Sequence, residues 1–231
     1  MISSPADLGF DGSDYDLPPL TITSVVIETE QKDSLFAEPV QGLSAARESL
    51  RESMKDRVNM CAEWVNSLDE PVLIWGEMNA ETDMLANLIS DSVQVKGADK
   101  QEVKEDRLLG FASGKYKKLV SKSSIAGFGM NYQHACKMAF SGPSYSFEKV
   151  YQAIRREWRF GQTKPVEVRI FMTDKEKGIY DVMLRKMDQD KHMRAQMIKV
   201  MSDSMKKEIV GSKANKTDYN PAVKASIPSF V

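Results

Sequence analysis

The sequence predicts an α/β fold: a parallel sheet with helices on both faces, followed by a C-terminal helical extension. Three observations carry this. Between Pro71 and Phe171, short apolar runs alternate with amphipathic helical stretches, the rhythm of strands joined by crossover helices. The 231 residues are 42% hydrophobic, enough for one sizeable core, or a core plus a small appendage. Beyond Asp174 the pattern is helical only, with Ile179, Val182, Met183 and Met187 on one face.

Each element has its own local reason. The first 20 residues, with Gly9, Gly12, Pro18, Pro19 and several aspartates, read as an irregular arm. Residues 21–27 are β-branched and predict a strand. Ser44 fits the N-cap of a helix reaching about Leu68, with Ala46, Leu50, Met54, Val58, Cys61, Trp64 and Leu68 three or four apart. Strands follow at 72–75 and 93–95, each succeeded by a helix, at 80–89 and at Gln101–Ala112. Further strands are predicted at 118–121, 136–140 and 166–171. A helix over 146–158 places Phe147, Val150, Tyr151, Ile154 and Trp158 on one stripe. Met193, Met197, Met201 and Met205 repeat every four residues, which favours core or helix-pair packing over a specialised groove. The last twenty residues read as a loose tail. The expected organisation is an acidic arm with one strand over 1–43, a lobe over 44–180, and an extension with its tail over 181–231.

Composition excludes several classes. The charged fraction of 28% and mean hydropathy of −0.40 exclude a wholly disordered or fibrous chain. No run approaches the roughly 18 to 20 apolar residues of a membrane span, and no basic-then-apolar leader opens the sequence, so a cytoplasmic protein is expected. Cys61 and Cys136 are read as free buried thiols. The net charge of −1 is unevenly spread. Residues 1–45 carry eight acids against one lysine, whereas 100–169 hold fourteen bases against six acids and 181–231 ten against six. A clustered positive field attracts phosphates, although a lysine-rich stretch is as often a solvated helix face.

Ligands of open parallel sheets bind beyond the carboxyl ends of strands, which directs attention to two segments. Residues 122–131 combine Lys122, Ser123 and Ser124 with Gly127 and Gly129, and end at Asn131. Glycines there admit close approach of a phosphate or ribose to the backbone, but the pair equally fits a tight turn. In residues 152–162, Arg156 and Arg159 are three apart and project from one side of the predicted helix. Two fixed guanidiniums suit bidentate phosphate recognition and stabilise charge in phosphoryl transfer, yet spacing alone also fits a helix end studded with surface arginines.

Together the two segments resemble a known family. Gly127-Phe128-Gly129-Met130-Asn131 is similar to motif V, and Gln152 through Gln162 to motif VI, of the C-terminal RecA-like lobe of superfamily 2 helicases, nearest to Swi/Snf-type DNA translocases and their phage relatives. Residues 72–75 stand where motif IV would, and the resemblance covers about residues 1–180. It implies that Arg156 and Arg159 reach an ATP, with its Mg²⁺, held on another lobe, that Gln152 positions them, and that Gly127, Gly129 and Asn131 line the nucleotide cleft. It implies that Lys122 and Ser123 touch a DNA backbone. It implies a host cytoplasm if the gene is a phage's. Departures are Ser144-Tyr145-Ser146 in place of Trp-Asn-Pro, and Ser123-Ser124 in place of the usual threonine; these bear on remodeler-specific behaviour.

The same resemblance makes one absence informative. Phosphoryl transfer in this class needs a P-loop and an acidic pair for Mg²⁺. The nearest string, Gly110 to Tyr116, has the wrong spacing and a tyrosine where the metal-binding hydroxyl belongs. The chain therefore reads as half an enzyme, its partner an N-terminal P-loop lobe in cis or in trans. The competing class is a non-catalytic module that binds nucleic acid or docks a partner. No metal site is expected, because His134, Cys136, Cys61 and His192 offer no convincing ligand spacing. No serine has the setting of a hydrolase nucleophile.

Overall fold

Val72–Gly76 (β2) reads Val-Leu-Ile-Trp-Gly and is buried at every position, as a central parallel strand must be when both sheet faces are covered. Its side chains divide by parity. Leu73 and Trp75 enter one hydrophobic cluster, and Val72 and Ile74 enter the other. In this computed structural model, residues 16–28, 51–125 and 130–211 are described, with side chains through residue 200.

The other strands are Leu20–Ile27 (β1), Ser92–Val95 (β3), Lys118–Lys122 (β4), Lys137–Phe140 (β5) and Val166–Thr173 (β6). They form one six-stranded sheet in the order β1-β6-β5-β2-β4-β3, and every pairing is parallel. Parallel neighbours require crossover connections, which the helices supply. Met54–Asn66 (α1) and Asn79–Leu88 (α2) bury Val58, Cys61, Val65 and Leu85 on one face. Gln101–Ala112 (α3), Phe147–Ile154 (α4) and the start of Lys177–Gly211 (α5) bury Phe111, Val150, Ile154 and Met183 on the other. The fold is thus of the expected α/β class, a parallel sheet with helices on both faces, followed by a C-terminal helix. No described helix is long and apolar enough to cross a membrane.

The strand expected in the arm is β1, which pairs with β6 along eight residues, because its β-branched side chains need a neighbouring strand. Two expectations need correction. The helix expected over 146–158 ends at Ile154, for reasons that shape the site below. Met193 and Met197 are 55% and 46% exposed, so of the two packings expected for the Met repeat the core one is corrected. The proposed cap at Ser44, most of the arm and the tail lie outside the described residues.

Candidate functional site

Two edges of the sheet must be distinguished. At the carboxyl edge, where strands end, lie Gly76, Val95, Lys122 and Phe140. At the amino edge, where they begin, lie Leu20, Lys137 and Val166. A five-residue strand such as β4 separates them by about 16 Å.

The arginines belong to the amino edge. After Ile154 the chain leaves the helix: Arg155 caps it, and the backbone turns at 155–161, with Gly161 at φ +91°. Tertiary hydrogen bonds hold this exit. Tyr132 N–H donates to the Arg156 carbonyl at 2.9 Å, and the buried Gln162 amide donates to the Ala135 carbonyl at 2.8 Å. Gln162 Oε1 also accepts from the N–H groups of Thr163 and Lys164, both at 3.0 Å. Trp158 Nε1 donates to the Pro18 carbonyl at 2.7 Å, which ties the turn to the approach to β1. Arg156 and Arg159 therefore stand on a braced turn, not on a helix face. They also lie at the edge opposite the one that general α/β ligand geometry selects.

Asn131 meets Arg159, whose Nη1 donates to the Asn131 side-chain oxygen. The end of one sequence segment and the second arginine of the other, 28 positions apart, share a site. The Nε atoms of Arg156 and Arg159 are both buried without a hydrogen-bond partner, as are the Tyr132 hydroxyl and His134 Nε2. Buried donors without acceptors are costly, and these belong to the arginine turn and to the segment whose Tyr132 is hydrogen-bonded to it. The chemistry of two guanidiniums on one turn suits a phosphate. Burial lowers the Arg156 pKa, with Tyr132 opposing and Arg159 adding to the shift. Burial also raises the Tyr132 hydroxyl to about 12 and pushes His134 down, so both are neutral near pH 7. Glu157, between the arginines in sequence, is fully buried, and desolvation raises its carboxyl well above the ordinary range.

Lys122 and Ser123 lie at the opposite edge. Lys122 Nζ donates to Asn79 Oδ1 at 3.0 Å, and Ser123 begins the turn beyond β4. A cavity of about 260 Å³ is lined there by Asn79, Thr82, Lys96, Gly97, Lys122 and Ser124; Ser123 is not among its lining residues. Gln152 is exposed on α4 and donates to Glu148 Oε1 at 3.1 Å, on its own helix. Gly127 and Gly129 lie outside the described residues. Among those described, no group of three or more His, Cys, Asp or Glu is placed to hold a metal ion.

Sequence reasoning missed a buried charge network at the carboxyl edge. Arg57 is fully buried and pairs with Glu81 at 2.9 Å and Glu176 at 3.2 Å. Its Nη1 donates to the Ser141 carbonyl, and its Nε donates to Ser53 Oγ at 3.0 Å. Glu81 Oε2 accepts from the N–H groups of Glu77 and Met78 at 2.8 and 3.1 Å, holding the first turn of α2. The signal was present: Arg57 lies three residues after Met54 and four before Cys61, within the apolar stripe.

No protein-family profile matches this chain, and no curated protein matches it. Among solved structures it is similar to the C-terminal part of the Fun30 ATPase domain, at 21% identity and a TM-score of 0.46, over 61% of this chain. The match spans 44% of that protein chain, less than half its length.

Proposed function

We propose that this chain is the C-terminal RecA-like lobe of an ATP-dependent DNA helicase or translocase. The observation that carries the reading is the amino-edge constellation. Asn131, Arg156 and Arg159, from the two segments that resemble motifs V and VI, converge on one braced turn with two buried, unpartnered guanidinium nitrogens.

ATP with Mg²⁺, held mainly by a P-loop lobe in cis or in trans, would supply the phosphoryl group that is transferred to water. This chain's residues act around it. Arg156 and Arg159 would place positive charge beside the transferring group, and Asn131 would orient the Arg159 guanidinium by holding one of its donors. Gln162 would keep the turn rigid by occupying the backbone groups beneath it. Guanidiniums at such a position are worth about 10³ to 10⁵ in rate. Lys122, with Ser123 and Ser124 beside it, would contact the DNA backbone at the carboxyl edge. One rigid sheet would then transmit closure at the nucleotide to the strand it grips.

The experiment is DNA-stimulated ATP hydrolysis by this chain alone, and after mixing with a P-loop lobe such as one encoded in the neighbouring upstream gene. Hydrolysis only in the mixture, reduced about a thousandfold or more by Arg159→Ala, supports a split motor. DNA binding without hydrolysis in either case would favour the non-catalytic module.

A further inference from the structure

A second groove opens at the carboxyl edge, beyond the ends of β2 and β5. Its volume is about 480 Å³, within the range of small-ligand sites, and its lining includes Arg51, Glu77, Gly142, Ser144, Tyr145 and Lys149. We propose that this groove seats an unpaired base of a single nucleic-acid strand, with Tyr145 as the stacking surface and Arg51 and Lys149 as phosphate contacts. The proposal rests on the reading that the carboxyl edge carries nucleic acid, and it names the form of strand that edge accepts.

Continuity is the first argument. The groove and the Lys122 cavity flank the same first turn of α2. Glu77, Met78 and Glu81 line one, while Asn79, Thr82 and Asp83 line the other. In the sheet, β2 lies between β4 and β5, so the two depressions are about 10 Å apart at strand spacing. A strand leaving Lys122 passes the N-terminus of α2, where the Glu81 carboxylate already takes the N–H groups of Glu77 and Met78, and arrives at Tyr145.

Chemistry is the second. Arg51 and Lys149 are exposed and available to phosphates, whereas Arg57 beneath them is committed to Glu81 and Glu176 and serves as the floor. Gly142 lies flat on that floor: a Cβ there would collide with the Arg57 guanidinium, so position 142 carries no side chain. Tyr145 is half-buried on a fastened loop. Its carbonyl accepts from Lys186 Nζ at 2.8 Å, and Ser146 N–H donates to Ser144 Oγ at 3.3 Å. Glu77 disfavours a phosphate on its own side, which directs the backbone toward Arg51 and Lys149. An aromatic ring flanked by cations is the arrangement that holds single strands by stacking plus backbone charge. A paired base has its faces covered and cannot enter.

The test is fluorescence anisotropy of the whole chain, at low and moderate salt, with labelled oligo-dT and oligo-rU of about 15 nucleotides and a duplex of the same length. Tyr145→Ala is expected to weaken single-strand binding roughly fivefold to a hundredfold, and Tyr145→Phe to keep it within about twofold. Duplex binding should be unchanged by either. Arg51→Gln and Lys149→Gln should each lower the salt slope by about one. Circular dichroism melts matched to wild type exclude misfolding as the cause. If Lys122→Ala weakens binding and Tyr145→Ala does not, the groove is off the path and the proposal fails while the edge reading stands. Equal loss of duplex binding in Tyr145→Ala also overturns it, and failure of the wild-type chain to bind any of the three probes overturns both.

Discussion

Glu157 is buried with neither carboxylate oxygen in a hydrogen bond, so its environment favours the protonated form. The folded chain keeps this proton to a higher pH than the unfolded chain, which releases it near the ordinary value of about 4.5. Between those two values the native state binds more protons, and its stability falls as pH rises. Glu157→Gln removes that dependence. In urea titrations it should stabilise the chain by about 1–3 kcal/mol at pH 8, with the advantage vanishing near pH 4. Parallel pH profiles for the two proteins would show that Glu157 finds a cation. Gly142 offers the opposite case. Gly142→Ala pushes a methyl into the Arg57 guanidinium and disturbs a buried ion pair, and should cost about 3 kcal/mol in the same titrations. Neither residue was legible as special in the sequence. Glu157 sits amid arginines that suggest pairing, and the closeness of Gly142 to Arg57 joins positions 85 apart.

At the scale of elements, the local pattern located every described strand to within two residues, because buried parallel strands are short β-branched or apolar runs that little else explains. The end of α4 was not legible. Phe147, Val150, Tyr151, Ile154 and Trp158 continue one helical stripe, yet the helix stops at Ile154. Contacts from far along the chain decide it, above all Tyr132 N–H on the Arg156 carbonyl and Gln162 on Ala135. Asn131, Arg156 and Arg159 could therefore be singled out in the sequence, while the edge they occupy and the contact between Asn131 and Arg159 could not. Gln162→Ala tests this account. It strips an acceptor from two backbone N–H groups and a donor from the buried Ala135 carbonyl, at a cost of roughly 1–3 kcal/mol. Amide hydrogen exchange at Thr163 and Lys164 should accelerate, while exchange in β2 and β4 shifts only with global stability. Unchanged exchange at those two amides would show that the turn is held by other contacts.

For the whole molecule, the separation of the two edges makes the functional reading divisible. If Lys122 grips nucleic acid at the carboxyl edge and Arg159 serves a nucleotide at the amino edge, about 16 Å of rigid sheet lies between the events. Substitutions at that separation with no shared partner act independently. Lys122→Ala should weaken oligonucleotide binding by the chain alone and lower its salt slope by about one. Arg159→Ala should change that affinity by less than about twofold, and should abolish hydrolysis once a P-loop lobe is supplied. The net charge conceals this division, because the acidic N-terminal residues offset a strongly basic middle segment. Phosphate contacts release counterions, so affinity should fall steeply with salt in wild type and in Arg159→Ala alike. A loss of oligonucleotide affinity in Arg159→Ala equal to that in Lys122→Ala would mean that nucleic acid runs along the amino edge. The arginine turn would then be part of its track, and the nucleotide reading of Arg156 and Arg159 would give way to a binding one.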